Sequence, residues 1–307
     1  MIATADTVPY ESRPAACQEL TFETLKQYFE LAGEEFSEAK YRALGLVDEI
    51  GFFTHLAHWV SDQSEVETRA GFFSGTDKAS PVNSILTFSG CLVDQYHKML
   101  EVLLNRFGFS QAISAFSIRR DGTRDEVEEY PPDAVRAALA NLFAHRDYSL
   151  ENVLALASHF SDKLEFLSFG GLLRAGPPEL LHEDRAAPRN RHLAALLVRL
   201  SARERHGLGI PQIYAAYKPF GLEPAILCDS TKLKIVLPRV TMHYEGLSEG
   251  EMQIVRFLRE NGRQPRAKIQ AALGRSYTYT IGLLTSLMKQ GVVLKEGSGK
   301  STAYRLK

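Results

Sequence analysis

At 307 residues, 45% of them hydrophobic, the chain is long enough for two or three domains, each with its own core. Three scattered cysteines, Cys17, Cys91 and Cys228, make neither a CxxC pair nor a dense disulfide framework, and no apolar run approaches the ~20 residues of a bilayer span; the expectation is a cytoplasmic protein, neither secreted nor inserted in a membrane. The formal charge of −1 conceals an asymmetry: residues 246–307 hold 11 Lys/Arg against 4 Asp/Glu, a surplus of +7, and the remainder carries −8. A basic C-terminal module on an acidic body points to a nucleic-acid partner at that end.

In chain order, residues 1–20 read as a tail or linker. From Leu20, LTFETLKQYFELAGEEFSEAKYRALGL places Phe22, Leu25, Tyr28 and Phe29 on one face and breaks at Gly33, a small helical pair. Two aromatic and β-branched runs, GFFTHLAHWVSD and ETRAGFFSG, read as strands. LTFSGCLVDQYHKMLEVLLNRF has the i, i+3, i+4 spacing of a long helix. AISAFSIRRDGTRDEVEEY reads as a hairpin turning at Asp121-Gly122, and Pro131-Pro132 open the alanine-rich helix AVRAALANLFAH. ENVLALASHF and DKLEFLSF are strands meeting near Ser161-Asp162; a Pro- and charge-rich loop leads to the helix LAALLVRL, then to a helix within RHGLGIPQIYAAYKPFG and the strand KLKIVLPRV.

The last segment has the order helix, short helix, helix, strand, tight turn, strand, that of a winged helix. Ser248 with Glu251 three residues on is a capping box; Gln264 to Leu273 and Ser276 to Lys289 are the second and third helices, and Val292 to Lys295 and Thr302 to Leu306 the wing. In such a motif the third helix enters the major groove by its first residues, here Arg275, Ser276, Tyr277, Thr278 and Tyr279. The run GSGKST at 297–302 imitates a phosphate loop, but the position five before Gly299 is Leu294 and a strand follows instead of a helix. Lys300 is better placed at a wing tip against a DNA phosphate.

His55 and His58, on opposite faces of an expected strand and without a nearby third ligand, read as structural. Nucleophile-elbow, HExxH and cysteine-nucleophile motifs are lacking. On the alanine-rich helix, Val135, Ala138, Leu139 and Leu142 share the buried face, with Ala137 and Asn141 one turn apart on its flank, so that Asn141 stands at the border of the core.

Taken in order, YPPDAVRAALANLFAHRDYS, FSDKLEFLSFGGLL and PRNRHLAALLVRLSARERHGLGIPQIY resemble the motifs of a bacterial and archaeal family of transcriptional regulators with a divergent GHKL-type ATP-binding domain, also labelled Schlafen/Alba, RecG-like or divergent AAA proteins. The resemblance spans roughly residues 20–240. It implies an α+β fold, a GHKL-like α/β sandwich with a C-terminal winged helix-turn-helix, divided into an N-terminal tail and small helical segment (1–45), the ATP-binding domain (46–245) and the winged helix (246–307). It further implies ATP with Mg²⁺: Asn141 would ligate the metal, Ser168, Gly170 and Gly171 would form one glycine turn, and Gly207 and Gly209 a second. An amide oxygen suits hard Mg²⁺, and glycines let amides approach phosphate.

Departures from the pattern matter. GHKL ATPases place a glutamate four residues before that Asn; here the position is Ala137, which leaves hydrolysis without its base. Phe169 and Leu173 stand where the first turn has prolines, and the family's N-terminal Alba-type domain has no counterpart in these residues. The expectation is a DNA-binding regulator that takes double-stranded DNA and self-associates, its GHKL-like domain sensing nucleotide or serving as scaffold. The alternatives are a weak or degenerate ATPase and a protein-interaction module without DNA binding.

Overall fold

The computed structural model describes residues 8–108, 117–118, 124–125, 129–150, 153–170, 188–201, 209–229, 231–240, 247–297 and 299–306. Two compact units emerge, one from Met1–Leu104, Asp133–Tyr214 and Pro224–Leu237, the other from Asn105–Pro132, Ala215–Glu223 and Pro238–Lys307.

The first unit is built on a six-stranded mixed sheet. Its elements are α1 (Glu23–Leu31), α2 (His55–Val60), β1 (Thr68–Phe73), β2 (Val82–Phe88), α3 (Leu92–Gly108), α4 (Pro132–His145), β5 (Ala155–His159), β6 (Lys163–Phe169), α5 (Arg191–Leu200), α6 (Ile210–Tyr217), β7 (Ala225–Cys228) and β8 (Lys232–Pro238); the short pair β3 (Ser117–Ile118) and β4 (Arg124–Asp125) falls in the second unit. Strand order is β2-β1-β5-β6-β8-β7. β1 runs antiparallel to β2 and parallel to β5, and β5 runs antiparallel to β6. Because strand side chains alternate, one row of β1, β5 and β6 (Thr68, Ala70 and Phe72; Ala155 and Ala157; Leu164, Phe166 and Ser168) is buried, with His159 at its end half-buried. That row and the apolar residues of α1, α3, α4 and α5 supply the core, with Tyr96 of α3 meeting Phe143 of α4 edge-on at 6.0 Å.

α4 is buried on every side from Ala137 to Arg146, which its five alanines permit: small side chains hold helix propensity while letting neighbours close in all round. Asn141 is therefore inside the core, 6% exposed, and not at its border.

Several local expectations are corrected. THLAHW is the helix α2, not a strand: the Thr54 side chain caps it by accepting from the Ala57 amide at 3.2 Å, and Leu56, Ala57, Trp59 and Val60 are buried. The long helix begins at Leu92; Gly90, at φ +85°, separates it from β2, which sequence periodicity hid, as it hid β7. Residues from Val8 onward are not a tail. Pro14 bridges Thr54, the Ala15 amide donates to Phe53, and Tyr10 stacks on His55 at 4.2 Å.

The second unit contains α7 (Glu249–Asn261), β9 (Gln264–Pro265), α8 (Arg266–Leu273), α9 (Tyr277–Lys289), β10 (Val293–Glu296) and β11 (Ala303–Leu306). The three strands form an antiparallel sheet in the order β10-β11-β9. The capping box at Ser248 is present: the Ser248 amide donates to Glu251 at 2.7 Å and the Glu251 amide to the Ser248 hydroxyl. Gly274, at φ +60°, takes the left-handed conformation that ends α8 and turns the chain into α9. β3 and β4 pair Ser117 with Asp125 and Ile118 with Arg124; the expected turn at Asp121-Gly122 lies outside the described residues. No helix among the described residues is long and apolar enough to cross a membrane.

Candidate functional site

The polar run that ends α4, His145-Arg146-Asp147-Tyr148, is tied to two other segments. An α-helix leaves its last carbonyls without partners, and here the Asn190 side-chain amide donates to those of Phe143, Ala144 and Arg146, the last at 2.8 Å. The Asn190 backbone amide adds a bond to Ala144 at 3.0 Å. Arg146 reaches the carbonyls of Glu67 (2.8 Å) and Val153 (2.9 Å), its guanidinium resting 4.9 Å from the Tyr148 ring. The Asp147 amide donates to Phe169 at the end of β6, and its carboxylate pairs with Arg189 at 3.1 Å. Arg189 in turn donates to the Gly170 carbonyl, and the Gly170 amide donates to Thr231 at 2.7 Å. So HRD, FG and RN, distant in sequence, form one continuous network.

That network fixes why position 170 is glycine. Its φ is +119°, and a Cβ there would stand 2.4 Å from the Asp147 Cβ. Both backbone polar groups of Gly170 are engaged within the chain, and the close approach it allows is to Asp147.

Asn141 donates its amide to the Ala137 carbonyl at 2.8 Å, one turn back, so the site of the missing glutamate and the expected metal ligand are in direct contact. Ser168 is buried on the inner row of β6, and Gly209 lies just before α6. Gly171 and Gly207 are outside the described residues. Burial, reinforced by the Arg189 charge, pushes the His145 imidazole down to about 4, and it stays neutral in the folded chain. Glu11, which sequence reasoning missed, accepts the first amides of α5 from His192 (3.1 Å) and Leu193 (3.3 Å); burial pushes its carboxyl up against the pull of those amides. No sequence signal marks it, because its partners lie about 180 residues away.

In the second unit, Arg275, Ser276, Tyr277, Thr278 and Tyr279 are all exposed, in one run at the first turn of α9. Ser276 caps the helix by accepting from the Tyr279 amide at 3.3 Å. Arg266 lies 4.4 Å from the Tyr277 ring centre and Arg275 5.9 Å from that of Tyr279. Tyr279 leans on α7, where a Cβ at Gly250 would meet its hydroxyl at 2.9 Å. Glu296 on β10 holds Arg263 and Arg305, at 3.1 and 2.5 Å. The backbone of Lys300 lies in the turn between β10 and β11. Among the described residues no group of three His, Cys, Asp or Glu could hold a metal ion.

Residues 157–237, from β5 through β8, match the family model HATPase_c_4, described as "Putative ATP-dependent DNA helicase recG C-terminal". The match supports an ATPase-like domain in that part of the chain; it begins after α4 and does not include Asn141. No curated protein matches. Among solved structures, the DIP2311 protein from Corynebacterium diphtheriae is similar over 98% of this chain and 70% of its own, with a TM-score of 0.57 at 15% identity, a likeness of fold alone.

Proposed function

We propose that the protein is a DNA-binding regulator that joins an ATPase-like domain to a C-terminal winged helix reading duplex DNA. The observation that carries this is the exposed run Arg275–Tyr279 at the N-terminal turn of α9, within a segment of charge +7. In this reading Arg275 swings from the Tyr279 ring to a base edge or phosphate, while the Ser276, Tyr277 and Thr278 hydroxyls take phosphates. Tyr279 is the platform, held against Gly250. Lys300 contributes from the wing. Arg263 and Arg305, paired to Glu296, shape the wing. Salt-titrated binding of duplex DNA tests it: Arg275→Ala should weaken binding by about 1–3 kcal/mol and lower the salt slope by about 1. Unchanged affinity in that variant would overturn the assignment.

The family match favours a second, compatible property, nucleotide binding by the first unit. When bound, ATP with Mg²⁺ would bring a hard cation that takes oxygen donors, and Asn141 has the amide to supply one. Gly170 offers a phosphate nothing, since its amide is spent on Thr231. The methyl group of Ala137 supplies no base, which favours binding without turnover. Calorimetry with ATP and Mg²⁺ should show heat lost in Asn141→Ala and no phosphate released; turnover abolished by Asn141→Ala would establish the degenerate-ATPase alternative instead.

A further inference from the structure

The face of the sheet opposite the core row carries a groove of about 370 Å³ that the functions above leave unused. Its floor is β6, where Glu165, Leu167 and Phe169 alternate with the buried row; Lys232 and Lys234 project beside it from β8, and Lys78 from the turn between β1 and β2. Two of the four lining ammonium groups are spent, Lys163 on Asp162 at 3.8 Å and Lys234 on Glu165, while Asp77 is occupied by the amides of Ala79 and Ser80 and Asp229 by Thr231 and the Lys232 amide; Lys78 and Lys232 are the exposed pair that a ligand would meet. Glu165 is shared between Lys234 at 2.8 Å and Lys163 at 3.9 Å.

The cations are strung along the groove. The Gly170 amide bond to Thr231 sets Lys232 at the Phe169 end, and the Lys163 bond to the Thr76 carbonyl sets Lys78 at the other. From Lys163 to Phe169 a strand rises about 20 Å. Leu167 and Phe169 form an apolar lane between the two ends. A ligand that matches must carry negative charge repeatedly over that length and present flat apolar surfaces between charges; a free nucleotide would satisfy one end only. We infer that this groove binds single-stranded nucleic acid, with phosphates on Lys78 and Lys232 at its two ends and a base stacked on Phe169.

The test uses the full chain and anisotropy of a labelled oligothymidylate long enough to fill the groove. Lys78→Glu with Lys232→Glu alters two exposed side chains at opposite ends. It should weaken binding by about tenfold or more and reduce the log–log salt slope by about 1.4, two phosphates' worth for a single strand. Phe169→Leu should weaken binding several-fold, leaving the salt slope unchanged. Arg275→Ala should leave oligothymidylate binding intact, which separates this groove from the duplex site. Three results would overturn the proposal: wild-type affinity in the double lysine variant, loss of binding in Arg275→Ala, or displacement of the oligonucleotide by thymidine monophosphate at equal nucleotide concentration.

Discussion

A methyl group on Gly170 would sit 2.4 Å from the Asp147 Cβ and 3.0 Å from its amide nitrogen, and the φ of +119° is one that side chains rarely adopt. Gly170→Ala should therefore destabilise the protein by about 1–3 kcal/mol, as a residue forced into a disfavoured backbone region does, visible as a lower chemical-denaturation midpoint; an unchanged midpoint would mean the turn has another conformation available. His145 gives a pH signature. In the unfolded chain its imidazole titrates near 6.5, whereas burial and Arg189 hold it near 4 when folded. The unfolded state thus binds the extra proton between those values, and stability that is full above about 6.5 falls as pH drops toward 4, by roughly 3 kcal/mol. Glu11, with its carboxyl pushed up by burial, acts in the opposite sense, so the effect is read as a difference: His145→Gln should show a shallower loss of stability on acidification than wild type. Parallel pH profiles would refute it.

At the scale of elements, the end of α4 depends on a residue from the start of α5. Asn190 is 2% exposed and its amide serves three carbonyls; Asn190→Ala should cost about 1–3 kcal/mol, the penalty for buried acceptors left without donors, and amide exchange in the last turn of α4 should speed up with it. Exchange unchanged in that turn would show that Asn190 does not hold it. Legibility followed local chemistry. α4, β5, β6 and, in the second unit, α7, α8, α9, β10 and β11 were readable because proline, capping residues and clear periodicity mark them; β9 was not, since its two residues, Gln264 and Pro265, read as the start of α8. The edge strands β2 and β7 were not, since exposure on both sides blurs their alternation, and α2 was too short to show a helical period. The network of Asp147, Gly170, Arg189 and Asn190 was legible only as motif letters; their partnership needs the fold, because each contact closes a loop of about 20 residues or more. Resemblance placed Gly170 at a nucleotide, and the structure shows its carbonyl bonded to Arg189 and its amide to Thr231.

For the molecule as a whole, charge separates the two activities proposed. The C-terminal 62 residues carry +7, and the exposed first turn of α9 concentrates the hydroxyls, rings and guanidinium that duplex DNA would meet. The first unit contributes an ATPase-like domain with a methyl group at position 137, a frame in which nucleotide occupancy is expected to matter more than turnover. The most direct test of this account is the salt dependence of duplex DNA binding by the full chain, wild type beside Arg275→Ala. The account predicts an affinity that falls linearly with the logarithm of salt in wild type, and a variant that binds more weakly with a slope smaller by about 1. Salt-insensitive binding, or a variant indistinguishable from wild type, would contradict it.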